Sequence, residues 1–531
     1  MKTTRITLCL LLCINLYSFL LGQTLPVRDL TFGAQGIVGM DLGWLQEYAN
    51  AVAIQPWDSK IVVAVTTNEP TKTNSALLRF HPDGSLDTGF GIDGILPGFF
   101  SIISNRPTAL LVQADHKILV AGNVGDQNMP NTSDFILARL LEDGSPDPTF
   151  GQEGVIFIDL DGWDNIGGAL AIQAADNKIV LVGTSFSGFE AHVALVRLLP
   201  SGDFDNSFDA DGKLSILIGD SSFSGAHAIA LQGDKILAMG WASDGMTDPI
   251  AVVRFTETGA LDQTFGIDGV AYLALHPALG DFGSALAVAP DGKIVLTGII
   301  PFLASSDGGA MYVARLNEHG ALDLTFGPYG TGHVYNNDCC FFNAPKILFQ
   351  ADHKILVGGS QSFGLGLSRF SSEGIPDSSF GFNGAYRDAF FPGSILKGME
   401  DMVFQPNGRL VVAGSSANTM TGHAGMALVR YELGTMVGNN SPGMEASHVS
   451  IFPNPVGDIT TLSYFLPDYS AVSLHLVDGA GRRIQTFLQN APRAAGKQRE
   501  QLTFERQVAP GIYFLEMVTA GWTQAIRVIR Q

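Results

Sequence analysis

Six arginines sit inside apolar, strand-like runs, and each is followed eight residues later by an aspartate. The pairs are Arg79 and Asp87, Arg139 and Asp147, Arg197 and Asp205, Arg254 and Asp262, Arg315 and Asp323, and Arg369 and Asp377. A seventh arginine, Arg430, has no aspartate eight residues on, and near the other end Asp29 has no arginine eight residues before it. A guanidinium in apolar surroundings needs a partner, because removing one member of a buried pair costs roughly 3 to 5 kcal/mol. Aspartate supplies that partner and can accept a two-pronged fork. A binding function rarely needs the same pair seven times, so the spacing predicts a structural pair, with Asp29 standing beside Arg430.

Other chemistry is sparse. The run Asp159 to Asn165 groups three acids around Trp163, and Asp209 to Gly212 reads DADG, but neither has the closing glutamate of a calcium loop. Both are expected to be solvated turns, with Ca2+ at these acidic loops the lesser reading and no other cofactor. His116 and His353 recur at one turn position. There is no Gly-x-Ser-x-Gly elbow and no His-Glu-x-x-His pair, so no catalytic or metal-binding residue is assigned.

The elements that position these residues repeat as well. An Asp-x-x-Phe-Gly turn recurs with its phenylalanine at 32, 90, 150, 208, 265, 326 and 380, at spacings of 54 to 61 residues. A strand-turn-strand phrase such as AIQAADNKIVLVG carries a basic residue at Lys60, Lys117, Lys178, Lys235, Lys293, Lys354 and Arg409. Each repeat offers four short strand candidates, the middle two almost continuously apolar, as strands covered on both faces are. Turn signals every dozen or so residues leave no room for paired helices. The spacing predicts an all-β chain with a seven-bladed β-propeller of four-stranded antiparallel blades, followed by a small C-terminal β-sandwich. The phenylalanine fills the gap between blades and the glycine permits the turn.

Composition agrees with that class. Hydrophobic residues are 46% and charged residues 15%, against roughly 25% charged in an average domain. Residues 1–22 read as a signal peptide: Lys2 and Arg5 precede an apolar run too short to span a bilayer. Its removal moves the formal charge from -20 to -22, a surface that repels phosphate backbones and argues against nucleic acid. It also leaves Cys339 and Cys340 alone, expected as free or mutually paired thiols in a loop. No membrane span is expected after cleavage, and a monomer is the simplest state.

The phrases DGSLDTGFGIDG, QADHKILVAG and FILARLLEDG resemble the bacterial delta-60 repeat of large secreted or surface proteins, over residues 28–434. That resemblance implies propeller-like β structure and no defined catalytic residues. Asp209 where glycine follows the phenylalanine, and Arg409 for lysine, depart from the pattern. After a small polar linker at 435–450, residues 451–531 alternate as an Ig-like β-sandwich would. Pro453, Asn454 and Pro455, then Asp478, Gly481 and Arg482, then Gly511, Ile512 and Tyr513 resemble the type A C-terminal sorting domain of the type IX secretion system. The resemblance implies the type IX machinery as partner, cleavage in the linker, and release or attachment at the bacterial outer-membrane surface.

In a four-stranded meander, connections alternate between two faces. The tight turns and the Asp-x-x-Phe-Gly joints share one, and the irregular loops share the other. Ligands are expected where repeats differ, on the irregular face and along the axis. The expected function is a secreted or surface-attached, non-enzymatic propeller presenting variable loops to glycan, protein or matrix. The alternative is an extracellular polysaccharide-acting enzyme with acids at the channel mouth, whose paired carboxylates would stand roughly 5 to 9.5 Å apart.

Overall fold

The computed structural model describes residues 26–433 and 450–530, apart from segments at 44–45, 69–72, 101–103, 126–132, 161–163, 220–222, 244–248, 276–280, 302–308, 342–345, 362–363, 382–383, 389–393, 419–423, 453–457, 467–469, 478–481, 495, 506–507, 510 and 519–522. The expected signal peptide and all but the last residue of the linker lie outside the described residues. Contacts divide the chain between Gly434 and Thr435.

Among the described residues every regular element is a strand. In residues 105–158, four strands, Asn105–Val112, Ile118–Val124, Asp134–Leu140 and Val155–Ile158, pair in sequence order and antiparallel. The same run of four begins at Gln46–Ile54, Asn165–Ile172, Phe223–Gln232, Phe282–Val288 and Lys346–Phe349. We number these units one to six in chain order. In a seventh, Ser394–Phe404, Leu410–Asn418 and Ala424–Glu432 are completed by Ile37–Met40 from the other end of the chain. Each first strand packs against that of the next unit, and Ser394–Phe404 packs against Gln46–Ile54.

Second strands such as Ile61–Asn68 are buried along nearly their whole length. Their β-branched, two-sided apolar sequence suits a sheet covered on both faces. The repeated phenylalanines are all fully buried. Six of them, all but Phe380, lean on the next unit at a turn glycine with positive φ. A Cβ on Gly144, φ 91°, would stand 2.8 Å from Phe90, and one on Gly84 would stand 2.9 Å from Phe32. Glycine is required there by both backbone angle and space. Asp209, which replaces the other repeated glycine, still adopts φ 46°, a conformation aspartate tolerates.

Cys339 and Cys340 lie in the strand His333–Phe341, not in a loop. The fourth strand of unit five runs longer than its counterparts, such as Val155–Ile158, and so takes in both cysteines.

In the C-terminal unit, Ser450–Phe452, Ile459–Leu466 and Gly496–Thr503 form one sheet, and Arg483–Arg493, Ser470–Val477, Gly511–Val518 and Thr523–Arg530 form another. Leu462 and Tyr464 of the first share a core with Leu474, Leu476, Leu515 and Met517 of the second. Arg530, near the end of the chain, is buried and paired with Asp458 at 2.7 Å.

Candidate functional site

On the face of the tight turns, each repeated arginine ends its strand beside the aspartate eight residues on. Nε donates to Oδ2 at 2.6 Å in Arg79 and Asp87, 2.7 Å in Arg139 and Asp147 and in Arg197 and Asp205, and 2.8 Å in Arg254 and Asp262. The distance is 2.9 Å in Arg315 and Asp323 and in Arg369 and Asp377. Arg430 Nε meets Asp29 Oδ2 at 2.8 Å, across the two ends of the repeat region. The expected two-pronged fork is replaced by a three-way division of the guanidinium. Nη1 reaches forward to a carbonyl of the following unit, as Arg197 does to Glu257 and Arg430 does to Pro82. In every pair but that of Arg79, where Gly89 takes the place, Nη2 meets a hydroxyl two residues beyond the aspartate, such as Ser207 at 3.0 Å. The plane also lies over the unit's own phenylalanine, 4.2 Å from the ring centre for Arg139 and Phe150. Such a cation over an aromatic face adds to the pair where solvent is excluded.

The sequence reading left the repeated basic residue without a role. Lys60, Lys117, Lys178, Lys235, Lys293, Lys354 and Arg409 each add a second cation to the same aspartate, at 2.5 to 3.2 Å. Recurrence of a basic residue at one position of every repeat was the available signal. Burial alone would raise these carboxyls. Hydrogen bonds from the flanking hydroxyl or lysine, together with the arginine, instead hold Asp87, Asp205 and Asp377 down at about 2. Asp29, Asp147, Asp262 and Asp323 are lowered by the same opposition.

Repeats differ at the first strands. A β-bulge displaces Asn50, Thr108, Gly168, His227, Ser284 and Glu400 at one shared position. The residue after it is alanine in five units: Ala51, Ala109, Ala169, Ala228 and Ala285. In unit seven it is Asp401, and in unit six Lys346 takes the same register against the second strand. Asp401 Oδ2 accepts the Val52 amide of unit one at 3.0 Å. Burial pushes the Asp401 and Glu400 carboxyls up, opposed by Lys346 for both and by Arg106 of unit two for Glu400. His227 of unit four is lowered by burial and also feels Lys346. Lys346 of unit six thus acts on both acids of unit seven and on the histidine of unit four, and Arg106 of unit two acts on Glu400. The departure was legible as KILFQ and DMVFQ where the other repeats open on alanine, as in ALAIQ.

At the irregular end of these strands, aromatic rings are uncovered in units three to five. Phe189, Phe223, Phe282, Tyr272 and Tyr335 are all exposed, Phe189 at 93%. The run 159–165 falls partly outside the described residues. Asp209 and Asp211 are exposed, and among the described residues no cluster of three or more His, Cys, Asp or Glu could hold a metal ion. His116 is not a lone turn residue: its ring stacks on Trp57 at 3.7 Å. His353 takes the same positive φ.

Of the tail motifs, Pro453, Asn454, Pro455, Asp478 and Gly481 lie outside the described residues. Arg482 is exposed, and Gly511, Ile512 and Tyr513 open the strand Gly511–Val518, with the Tyr513 hydroxyl donating to the Ala509 carbonyl at 3.0 Å. A family described as a secretion system C-terminal sorting domain matches residues 450–531. The tail is a type IX sorting domain. The sorting domain makes the protein an exported one, destined for the cell surface or the medium. A second family, described as a domain of unknown function (DUF5122) beta-propeller, matches residues 58–90, 113–150, 174–208 and 289–326, so the region ahead of the sorting domain is built from β-propeller repeats.

Three solved structures align at low identity. A protein of unknown function from Dyadobacter fermentans is 13% identical over 75% of this chain and 98% of its own, with a TM-score of 0.40. The polysaccharide lyase Uly1 is 10% identical over 78% and 98%, at 0.45. An α-L-arabinanase from Penicillium chrysogenum is 10% identical over 77% and 97%, at 0.38. No curated protein matches the chain.

Proposed function

We propose that the repeats close as a seven-bladed propeller, followed by an Ig-like sandwich, and that the exported propeller is a non-enzymatic binder of glycan. Closure is supported by Arg430, which bonds both Asp29 and the Pro82 carbonyl of unit one, and by the Asp401 bond to Val52. The ligand surface is the irregular face around the axial mouth. The observation that carries this reading is the exchange of alanine for Lys346 and Asp401 at one level of the first strands. Five units do without charge there, so the fold does not need it. Uncovered rings such as Phe282 and Tyr272 on the same side suit the apolar faces of sugars, while tyrosine adds a polar tip.

The enzyme reading needs carboxylates opposed across a ligand. Glu400 and Asp401 are consecutive residues of one strand, which favours binding over hydrolysis. A glycan array run beside a polysaccharide hydrolase and lyase screen on the mature protein tests the choice. Retention of a glycan, weakened at least tenfold by Lys346→Ala, is expected. Turnover that Glu400→Gln abolishes would refute it.

A further inference from the structure

The joint at Asp29 to Gly33 is set apart from the other six by how it is tied. In those six, the backbone runs straight from the arginine to its aspartate eight residues later. In unit seven the two stand 401 residues apart, so no short peptide holds Asp29 beside Arg430. Residues 27–40 form a strap there. Val27 and Arg28 pair with Glu432 and Tyr431, Ile37–Met40 pairs with residues 426–429, and Phe32 leans on Gly84 of unit one. A tethered joint can leave only with its strand, whereas a strap can peel away by itself.

Three departures from the repeat meet at the start of this strap. Arg28 lies opposite Tyr431, a register held elsewhere by Leu86, Pro146, Phe204, Leu261, Leu322 and Pro376. Tyr431 itself stands where the other units have Phe80, Leu140, Leu198, Phe255, Leu316 and Phe370, none with a hydroxyl. Asp388, four residues after a turn glycine of unit six, takes the place of Ile158, Ile216 and Leu273 in units two to four. Arg28 forks this aspartate, with Nε 2.6 Å from Oδ2 and Nη2 2.5 Å from Oδ1. The Tyr431 hydroxyl donates to the same Oδ2 at 2.7 Å. The Arg28 and Asp388 side chains are 25% and 11% exposed, and Tyr431 is fully buried with Tyr386 edge-on to its ring. A bidentate fork to a carboxylate, so sheltered, is a strong and geometrically specific contact.

The other units carry apolar side chains opposite their third strands at the Arg28 position, so the fold itself does not require a charge there. What unit seven alone must do is keep a separate segment in place. If the strap left, the edge of Ala424–Glu432 would show a row of unpaired amides and carbonyls. The strand that fits that edge is Ile37–Met40, and every copy of the chain carries one. Exchange of such an element between copies is a low-cost route to dimers.

We infer that Arg28, Asp388 and Tyr431 are a lock on the strap, tying it to unit six and keeping the edge of Ala424–Glu432 from the strap of a second copy. Unit one holds the strap through Phe32 and unit seven holds it through Arg430, so the lock adds the grip of a third unit.

Arg28→Leu, Asp388→Leu and Tyr431→Phe in the mature protein test the lock, since each installs a residue that another unit carries at that place. Hydrogen exchange of Ile37–Met40 is expected to accelerate about tenfold in each leucine variant, and less in Tyr431→Phe. The double variant Arg28→Leu with Asp388→Leu should exchange no faster than either single one, because the same contact is lost in all three. Protection of Asp134–Leu140 at its wild-type level shows that the chain is folded. Light scattering after incubation at high concentration should find dimer in the leucine variants and monomer in the wild type. Strap protection unchanged in every variant, or leucine effects that add in the double variant, would overturn the lock. Dimer fractions equal to that of the wild type would overturn its role against strand exchange.

Discussion

Replacing Arg430 by alanine tests how the two ends of the repeat region are held. The guanidinium donates to Asp29 through Nε at 2.8 Å, with Nη2 paired electrostatically 2.7 Å from the same oxygen, and donates to Gln405 at 3.2 Å, to Thr31 at 3.3 Å and to the Pro82 carbonyl, and it lies 4.6 Å from the centre of Phe32. Loss of one member of a buried pair costs roughly 3 to 5 kcal/mol, but Arg409 remains 3.2 Å from Asp29, which puts the expected loss near 3 kcal/mol. The strand Ile37–Met40 pairs on one side only, with Ala424–Glu432. It can therefore open locally without unfolding the remaining units. Every 1.4 kcal/mol is about tenfold in an equilibrium, so hydrogen exchange over Ile37–Met40 should accelerate roughly a hundredfold in Arg430→Ala. Deuterium uptake by mass spectrometry reads this directly, with Arg197→Ala as the interior comparison. Unchanged protection of Ile37–Met40 in Arg430→Ala would refute the claim that this arginine latches the ends together.

Arg197→Ala should lower the denaturant midpoint by the equivalent of about 3 kcal/mol, and Lys178→Met in the same chain should deepen the loss because Asp205 is then without either cation; glycan binding on the irregular face should be unchanged, and a midpoint at the wild-type value would speak against the buried pair. Asp87, Asp205 and Asp377 titrate at about 2 when folded, below the ordinary 3.8, so the native state binds fewer protons and is favoured above that value. Their contribution should be fully present at pH 5 and above and be lost as the pH falls from about 4 through 2, which urea titrations across that window would show as a falling midpoint. Deleting residues 450–531 should leave the protein in the periplasm, and normal secretion of the shortened chain, followed by fractionation and immunoblotting, would contradict the role of the tail.

Much of the molecule was legible before any coordinates, because its determinants are local or periodic. The arginine and aspartate pairs stand eight residues apart, joined by one turn, so spacing alone brought them together. The phenylalanine and glycine of the joints recur because every unit must fit the same neighbour, and the turn glycines have no space for a Cβ. Alternation at Val472, Leu474 and Leu476 read correctly as a buried face, since all three are fully buried. What the reading passed over were particular contacts between turns and between units. The lysine that joins each aspartate comes from another turn of the same unit, and the Arg197 contact with the Glu257 carbonyl crosses to the next.

The sequence by itself determined the strand class, the period and the export tag, since side-chain pattern, turn chemistry and short motifs are written within a few dozen residues. Only the tertiary structure decided which first strand lies beside which, and hence that Lys346 acts on Glu400 and Asp401, and Arg106 on Glu400, across units. It also decided that Arg28 of the strap meets Asp388 of unit six, 360 residues away in sequence. The physical reason is the same in each case. A local pattern fixes how a segment folds, whereas space and charge between segments depend on neighbours that the order of residues along the chain does not name.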